Sequence, residues 1–169
     1  LATIAHNGAI SIISKDAERN LRKGYINPLN SGQQFLTKAI LDTSIPVVVS
    51  EAPAGTGKTA TAIASALRLI DLGHYEGITY LRASVNDVPR EEEVGFLPGA
   101  DEKFAPFLHP LYDTLEFIIR TKYKETKLKG PQLEQFISDK TDEYMSKYNI
   151  TASTMLGWRG RTISNEIVI

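Results

Sequence analysis

The chain has no cysteine in its 169 residues. That excludes a disulfide framework and any thiolate metal site. Histidine is scarce as well. His6, His74 and His109 stand singly and read as surface or helix residues rather than zinc ligands. No apolar run approaches the roughly 20 residues that cross a bilayer, so no membrane partner is expected. The net charge is only −1, which gives no global sign of polyanion binding. No repeats or low-complexity segments are found. The chain begins at Leu1 without a signal peptide, so it reads as a trimmed start with a cytoplasmic location as the expectation. What is left is an ordinary globular composition, 42% hydrophobic and 23% charged, long enough for one domain with a sizeable core.

Against that plain background one string stands out: Ala52-Pro53-Ala54-Gly55-Thr56-Gly57-Lys58-Thr59. It follows the apolar run Val47-Val48-Val49 and precedes a helical stretch from Ala60 to Ile70. A buried strand, a glycine-bearing loop ending in Gly-Lys-Thr and a helix make a phosphate cradle. Gly55 and Gly57 let backbone N–H groups turn toward an anion. The helix N-terminus adds unpaired N–H groups and a partial positive charge. Lys58 reaches the β- and γ-phosphates in such a loop, and the Thr59 hydroxyl is a ligand of Mg²⁺. The strict pattern opens with Gly, where this chain has Ala52; alanine serves if its φ stays negative.

The rest of the chain alternates. Asn7-Gly8 between apolar-bearing runs suggests a hairpin within residues 2–14, part of an N-terminal extension over residues 1–30. A P-loop domain then occupies residues 31–169. Asn30-Ser31-Gly32 opens a helix from Gln33 to Leu41. Gly73 closes the helix after the loop. Ile78 to Leu81 is a strand that ends at Arg82. Phe107, Leu108, Leu111, Leu115, Ile118 and Ile119 form one helical face, with Pro106 in its first turn. After Gly130-Pro131, a second face carries Leu133, Phe136, Ile137, Tyr144 and Tyr148. Ile150 to Ser153 and Ile167 to Ile169 read as two more strands. Strands alternating with helices argue for an α/β domain with a mostly parallel sheet covered on both sides.

Local charge is less even than the total. Arg120, Lys122, Lys124, Lys127 and Lys129 against Glu125 give +4 over residues 120–129. Residues 86–102 sum to −5. The basic stretch is either a solvated helix end or a contact for a phosphate backbone. Asp139-Lys140-Thr141-Asp142 resembles a guanine signature, but it lacks the leading Asn and lies in a helical pattern, so adenine is preferred.

Three stretches together resemble the PhoH-like ATPases, which are similar to the first RecA-like domain of superfamily-one helicases. They are the loop itself, Gly95-Phe96-Leu97-Pro98-Gly99 with the downstream Lys103, Pro106 and Pro110-Leu111-Tyr112-Asp113, and Arg159-Gly160-Arg161-Thr162. The resemblance runs from about Gln33 to the C-terminus. It implies a three-layer RecA-like P-loop fold, ATP and Mg²⁺ as cofactors, and ATP hydrolysis coupled to action on nucleic acid, single-stranded RNA foremost. It also implies a homo-oligomeric ring, such as a hexamer.

The resemblance assigns residues too. Gln33 matches a glutamine that reads adenine, which a carboxamide donor–acceptor pair suits. The other reading is a helix-end glutamine facing water, with Gln34 adjacent. Arg82 ends a strand at the edge where ligands bind in open α/β sheets, although Ala83 stands where the family has Pro. Arg159 and Arg161 would contact phosphate, nucleotide or a neighbouring subunit through their donor forks; a surface ion pair is the alternative. Trp158 is either a core residue or a stacking platform. The Gly-Phe-Leu-Pro-Gly string is either an apolar plug or a support for the site or a partner subunit, and Glu92 or Glu93 matches an acidic family position.

An Asp-Glu pair follows an apolar strand in the resembled family, and this chain stops within the matching strand at Ile169. The expectation is therefore a domain truncated before its acidic pair, with the catalytic carboxylates still to come. Two other functions stay open: a small-molecule kinase, and a nucleotide-binding oligomerisation module without turnover.

Overall fold

The computed structural model of the chain describes residues 2–4, 10–12, 24–82, 100–154 and 162–169. Two short strands, β1 (Ala2–Ile4) and β2 (Ile10–Ile12), pair antiparallel with Thr3 opposite Ser11. They form a separate ribbon, and the Asn7-Gly8 pair expected to turn between them lies outside the described residues.

Helix α1 (Ser31–Leu41) starts where its cap allows. The Asn30 side chain accepts from the Gln33 N–H at 2.9 Å, which satisfies one of the orphan donors of the first turn. Helix α2 (Lys58–Asp71) rises directly from the glycine-bearing loop. It ends at Gly73 in the left-handed region, φ 76°. The His74 N–H bonds back to the Leu69 carbonyl at 3.0 Å and the Gly73 N–H to Ile70 at 2.8 Å, the paired closure that only an αL residue makes cheaply.

Strand β3 (Gly77–Arg82) follows, then α3 (Ala100–Lys122), α4 (Pro131–Lys147), β4 (Ile150–Thr154) and β5 (Glu166–Val168). Helix α3 begins six residues earlier than the Pro106 signal suggests and runs through Pro106 and Pro110. A proline inside a helix forfeits a backbone hydrogen bond. Beyond Pro110 the helix is anchored by one stripe, Leu111, Leu115, Ile118 and Ile119, all fully buried.

The sheet is small, open and parallel, in the order β4–β3–β5. Its register sorts the faces. Ile78 pairs with Ile150 and with Ile167, so these three share one face, with Tyr80, Ala152 and Ile169 at alternate positions. That face meets Ile63 and Leu67 of α2, the α3 stripe, and Ile137, Tyr144 and Tyr148 in one hydrophobic core. Thr79, Thr151 and Glu166 lie on the opposite face. The Thr79 hydroxyl donates to Glu166 at 2.6 Å and lies 3.2 Å from the Thr151 hydroxyl. Among the described residues, helical cover is seen on the apolar face.

One expected strand is not a strand. Val47 to Val49 is coil, with Val47 74% and Val49 88% exposed. The reason is lateral: no strand among the described residues pairs with it, and a run of valines without a ladder cannot be a buried strand. The guanine-like string Asp139–Asp142 falls inside α4. Thr141 is buried there and donates to the Ile137 carbonyl at 2.9 Å, while Lys140 pairs with Glu143. No helix among the described residues is long and apolar enough to cross a membrane.

A polar aromatic knot ties the N-terminal approach to the helices. The Tyr25 hydroxyl donates to Asp71 at the end of α2. The single proton of the Tyr148 hydroxyl lies within reach of both the Tyr25 oxygen and, at 3.0 Å, the other Asp71 oxygen. The Lys122 ammonium sits 4.5 Å from the Tyr25 ring centroid and donates to the Tyr144 hydroxyl at 2.9 Å. Burial, then the hydrogen bond to Asp71, pushes the Tyr25 phenol well above its ordinary range. Burial chiefly does the same for Tyr144.

Candidate functional site: a phosphate loop at the start of α2

The loop owes its shape to two glycines. Gly55 has φ 76° and Gly57 has φ 81°, a region that L side chains rarely adopt. Gly57 is the N-cap of α2 and brings no side chain to cap it, so the helix opens with its first N–H groups uncovered by a capping group. An uncapped first turn with inward-turned peptides attracts anions.

Lys58 lies inside this loop. Its ammonium donates to the Ala52 carbonyl at 2.7 Å and the Pro53 carbonyl at 2.8 Å, and it lies 3.5 Å from the Thr56 hydroxyl. Thr56 donates in turn to Pro53 at 3.0 Å. An ammonium has three donors, and here loop oxygens take all three. The Lys58 ammonium is thus turned back onto the loop itself.

Gln33 is brought to the same loop from α1. Its Nε2 donates to the Thr56 carbonyl at 3.1 Å, and its Oε1 accepts from the Leu29 N–H at 2.7 Å. The Gln33 carboxamide therefore braces the loop against the segment that precedes α1. Gln33 and Thr56 are 23 residues apart in the chain, so local sequence patterns carried no sign of this link. One N–H and one lone pair of the carboxamide remain for a ligand.

Arg82 is exposed at the carboxyl end of β3, the middle strand. Helix α2 and β3 are joined by a short turn and run in opposite directions. A 14-residue helix and a six-residue strand each span about 20 Å. The start of α2 and the end of β3 thus lie at the same edge of the sheet, where ligands settle in open α/β folds. Thr59 occupies the second position of α2 with its side chain exposed. A hydroxyl beside a phosphate cradle fits Mg²⁺, which keeps most of its shell as water and phosphate oxygens. Among the described residues, no group of three His, Asp or Glu side chains gathers to hold a metal.

Gly95 to Gly99, Glu92, Glu93, Trp158, Arg159, Gly160 and Arg161 lie outside the described residues. Lys103 is placed in α3 by its backbone, and Thr162 is exposed before β5.

Known proteins give the site its family. Residues 25–169 match the family described as PhoH-like protein. The chain belongs to the PhoH-like family. This is a family of P-loop ATPases, and the loop from Ala52 to Thr59 lies within the match. Protein PhoH2 of Bacillus subtilis (strain 168) is 32% identical over 146 residues, covering 85% of this chain and 29% of that protein. A PhoH-like protein of the same organism is 29% identical over 160 residues, 94% of this chain and 43% of its own length. A PhoH-like protein of Mycobacterium tuberculosis (strain ATCC 25618 / H37Rv) is 31% identical over 145 residues, 85% of this chain and 35% of its own. The chain thus spans less than half the length of these relatives.

Proposed function

We propose that this chain is the nucleotide-binding part of a PhoH-like ATPase that couples ATP hydrolysis to action on nucleic acid, with single-stranded RNA as the partner. The observation that carries the nucleotide reading is the loop: two left-handed glycines, an uncapped helix start, and Lys58 turned back onto the loop oxygens. The family match supports the ATPase reading at the level of class.

In this reading Ala52 to Thr59 wraps the ATP phosphates. Lys58 stabilises charge on the β- and γ-phosphates, and Thr59 holds Mg²⁺. The remaining donor of Gln33 faces the adenine, while its present bonds keep the loop in register. Arg82 borders the site, and Arg159 and Arg161 contact phosphate or a neighbouring subunit of a ring-shaped, hexamer-like assembly in the cytoplasm.

The test is phosphate release by the complete protein with Mg²⁺ and ATP, with and without an unstructured RNA. The reading expects Mg²⁺-dependent release that RNA stimulates. Absence of release under both conditions, or transfer of the phosphate to a small-molecule acceptor, would overturn it.

A further inference from the structure

The five cations between residues 120 and 129 do two different things. Arg120 donates to both carboxylate oxygens of Glu134, at 3.2 and 2.5 Å, and fastens α3 to α4. Lys122 is turned onto the Tyr25 ring and the Tyr144 hydroxyl. These two are committed to holding the molecule together. Lys124, Lys127 and Lys129 are exposed, and none of them has a carboxylate within ion-pair distance among the described residues. Glu125 is the single acid in the stretch.

The turn that carries these lysines is built. The Thr126 N–H donates to the Tyr123 carbonyl at 3.0 Å, and the Leu128 N–H to the Thr126 hydroxyl at 3.4 Å. Tyr123 rests edge-on against Phe136 with ring centroids 5.4 Å apart. Gly130 then takes φ 56° before Pro131 starts α4. Three ammonium groups, without an ion-pair partner among the described residues, therefore ride on the hydrogen-bonded connection between α3 and α4, within at most about 17 Å of chain.

Lysine in this setting is a mobile point charge. It meets phosphates in many geometries, and contacts to phosphate carry no sequence information. Arg120, whose fork would favour a fixed carboxylate, is already used on one. We propose that the turn at residues 123–130 is a sequence-independent contact for the phosphate backbone of a nucleic acid strand, separate in the chain from the phosphate loop. It deepens the nucleic-acid reading given above and rests on it.

The experiment measures binding of a fluorescently labelled, unstructured oligouridylate to the complete protein across a salt series. The variant carries Lys124→Gln, Lys127→Gln and Lys129→Gln together. Losing three phosphate contacts weakens binding between ten- and a hundredfold at 0.1 M salt and lowers the slope of log affinity against log salt by about 2. Glu125→Gln tightens binding. Affinity for a non-hydrolysable ATP analogue is unchanged in both, which also shows that they fold. A triple variant that binds RNA with the wild-type affinity and salt slope overturns the turn as a contact and leaves the ATPase reading standing. Wild-type protein that ignores RNA but binds anionic vesicles or an acidic peptide overturns both the turn and the nucleic-acid reading.

Discussion

Gly57 and Gly73 sit at nearly the same dihedral, yet replacing each by alanine has different consequences. Gly57 has φ 81° at the start of α2, and Gly73 has φ 76° just past its end. An L residue in the left-handed region costs roughly 1–2 kcal/mol. At Gly73 that is the whole effect, because a Cβ there meets nothing within 4 Å. At Gly57 the Cβ falls 3.1 Å from Nε2 of Gln33. That amide is held between Leu29 and Thr56, so giving way loosens its hydrogen bond to Thr56, worth about 0.5–1.5 kcal/mol. Gly73→Ala should therefore cost about 1–2 kcal/mol and Gly57→Ala about 1.5–3.5 kcal/mol in urea unfolding. The functional difference is larger. Gly57→Ala should weaken binding of a non-hydrolysable ATP analogue at least tenfold, whereas Gly73→Ala should leave it unchanged. Equal losses of affinity in both variants, or a Gly57→Ala protein as stable as the wild type, would refute the argument.

Three further outcomes follow from the same contacts. Gln33→Ala removes two hydrogen bonds that brace the loop and should weaken nucleotide binding in a titration, whereas Gln34→Ala should not. Leu115→Ala opens a cavity in the centre of the α3 stripe and should cost about 2–5 kcal/mol, read by chemical denaturation. Alkaline pH should destabilise the fold through the tyrosine knot. The Tyr25 and Tyr144 phenols hold their protons more tightly folded than unfolded. Their contribution is thus complete below about pH 10 and is lost as pH rises beyond it, when the unfolded chain binds fewer protons. Thermal melts from pH 8 to 11 should show this fall, shallower in Tyr25→Phe.

What the sequence reveals follows from the range of the forces involved. The start of α1 at Asn30 and the end of α2 at Gly73 are local devices, so cap and αL signals place them within a residue or two. The periodic stripe of α3 identifies the core residues Leu111, Leu115, Ile118 and Ile119, but not that the helix already begins at Ala100, ahead of Pro106. Val47 to Val49 fails for the opposite reason. Its composition is that of a buried strand, but strand formation depends on a neighbour that local sequence does not supply. The site divides the same way. Gly55, Gly57, Lys58 and Thr59 announce themselves by spacing. The Gln33–Thr56 bond, the Tyr25–Asp71–Tyr148 knot and the division of labour among the basic residues join positions distant in the chain, and no motif encodes them.

The central claim, that the loop at Ala52 to Thr59 is a working nucleotide cradle, is tested most directly by equilibrium binding of a non-hydrolysable ATP analogue to wild-type protein and to Lys58→Ala. The account predicts saturable, Mg²⁺-sensitive binding to the wild type and its loss in the variant, with both proteins melting at similar temperatures. Binding of equal strength in the two proteins, or none in the wild type, would contradict it.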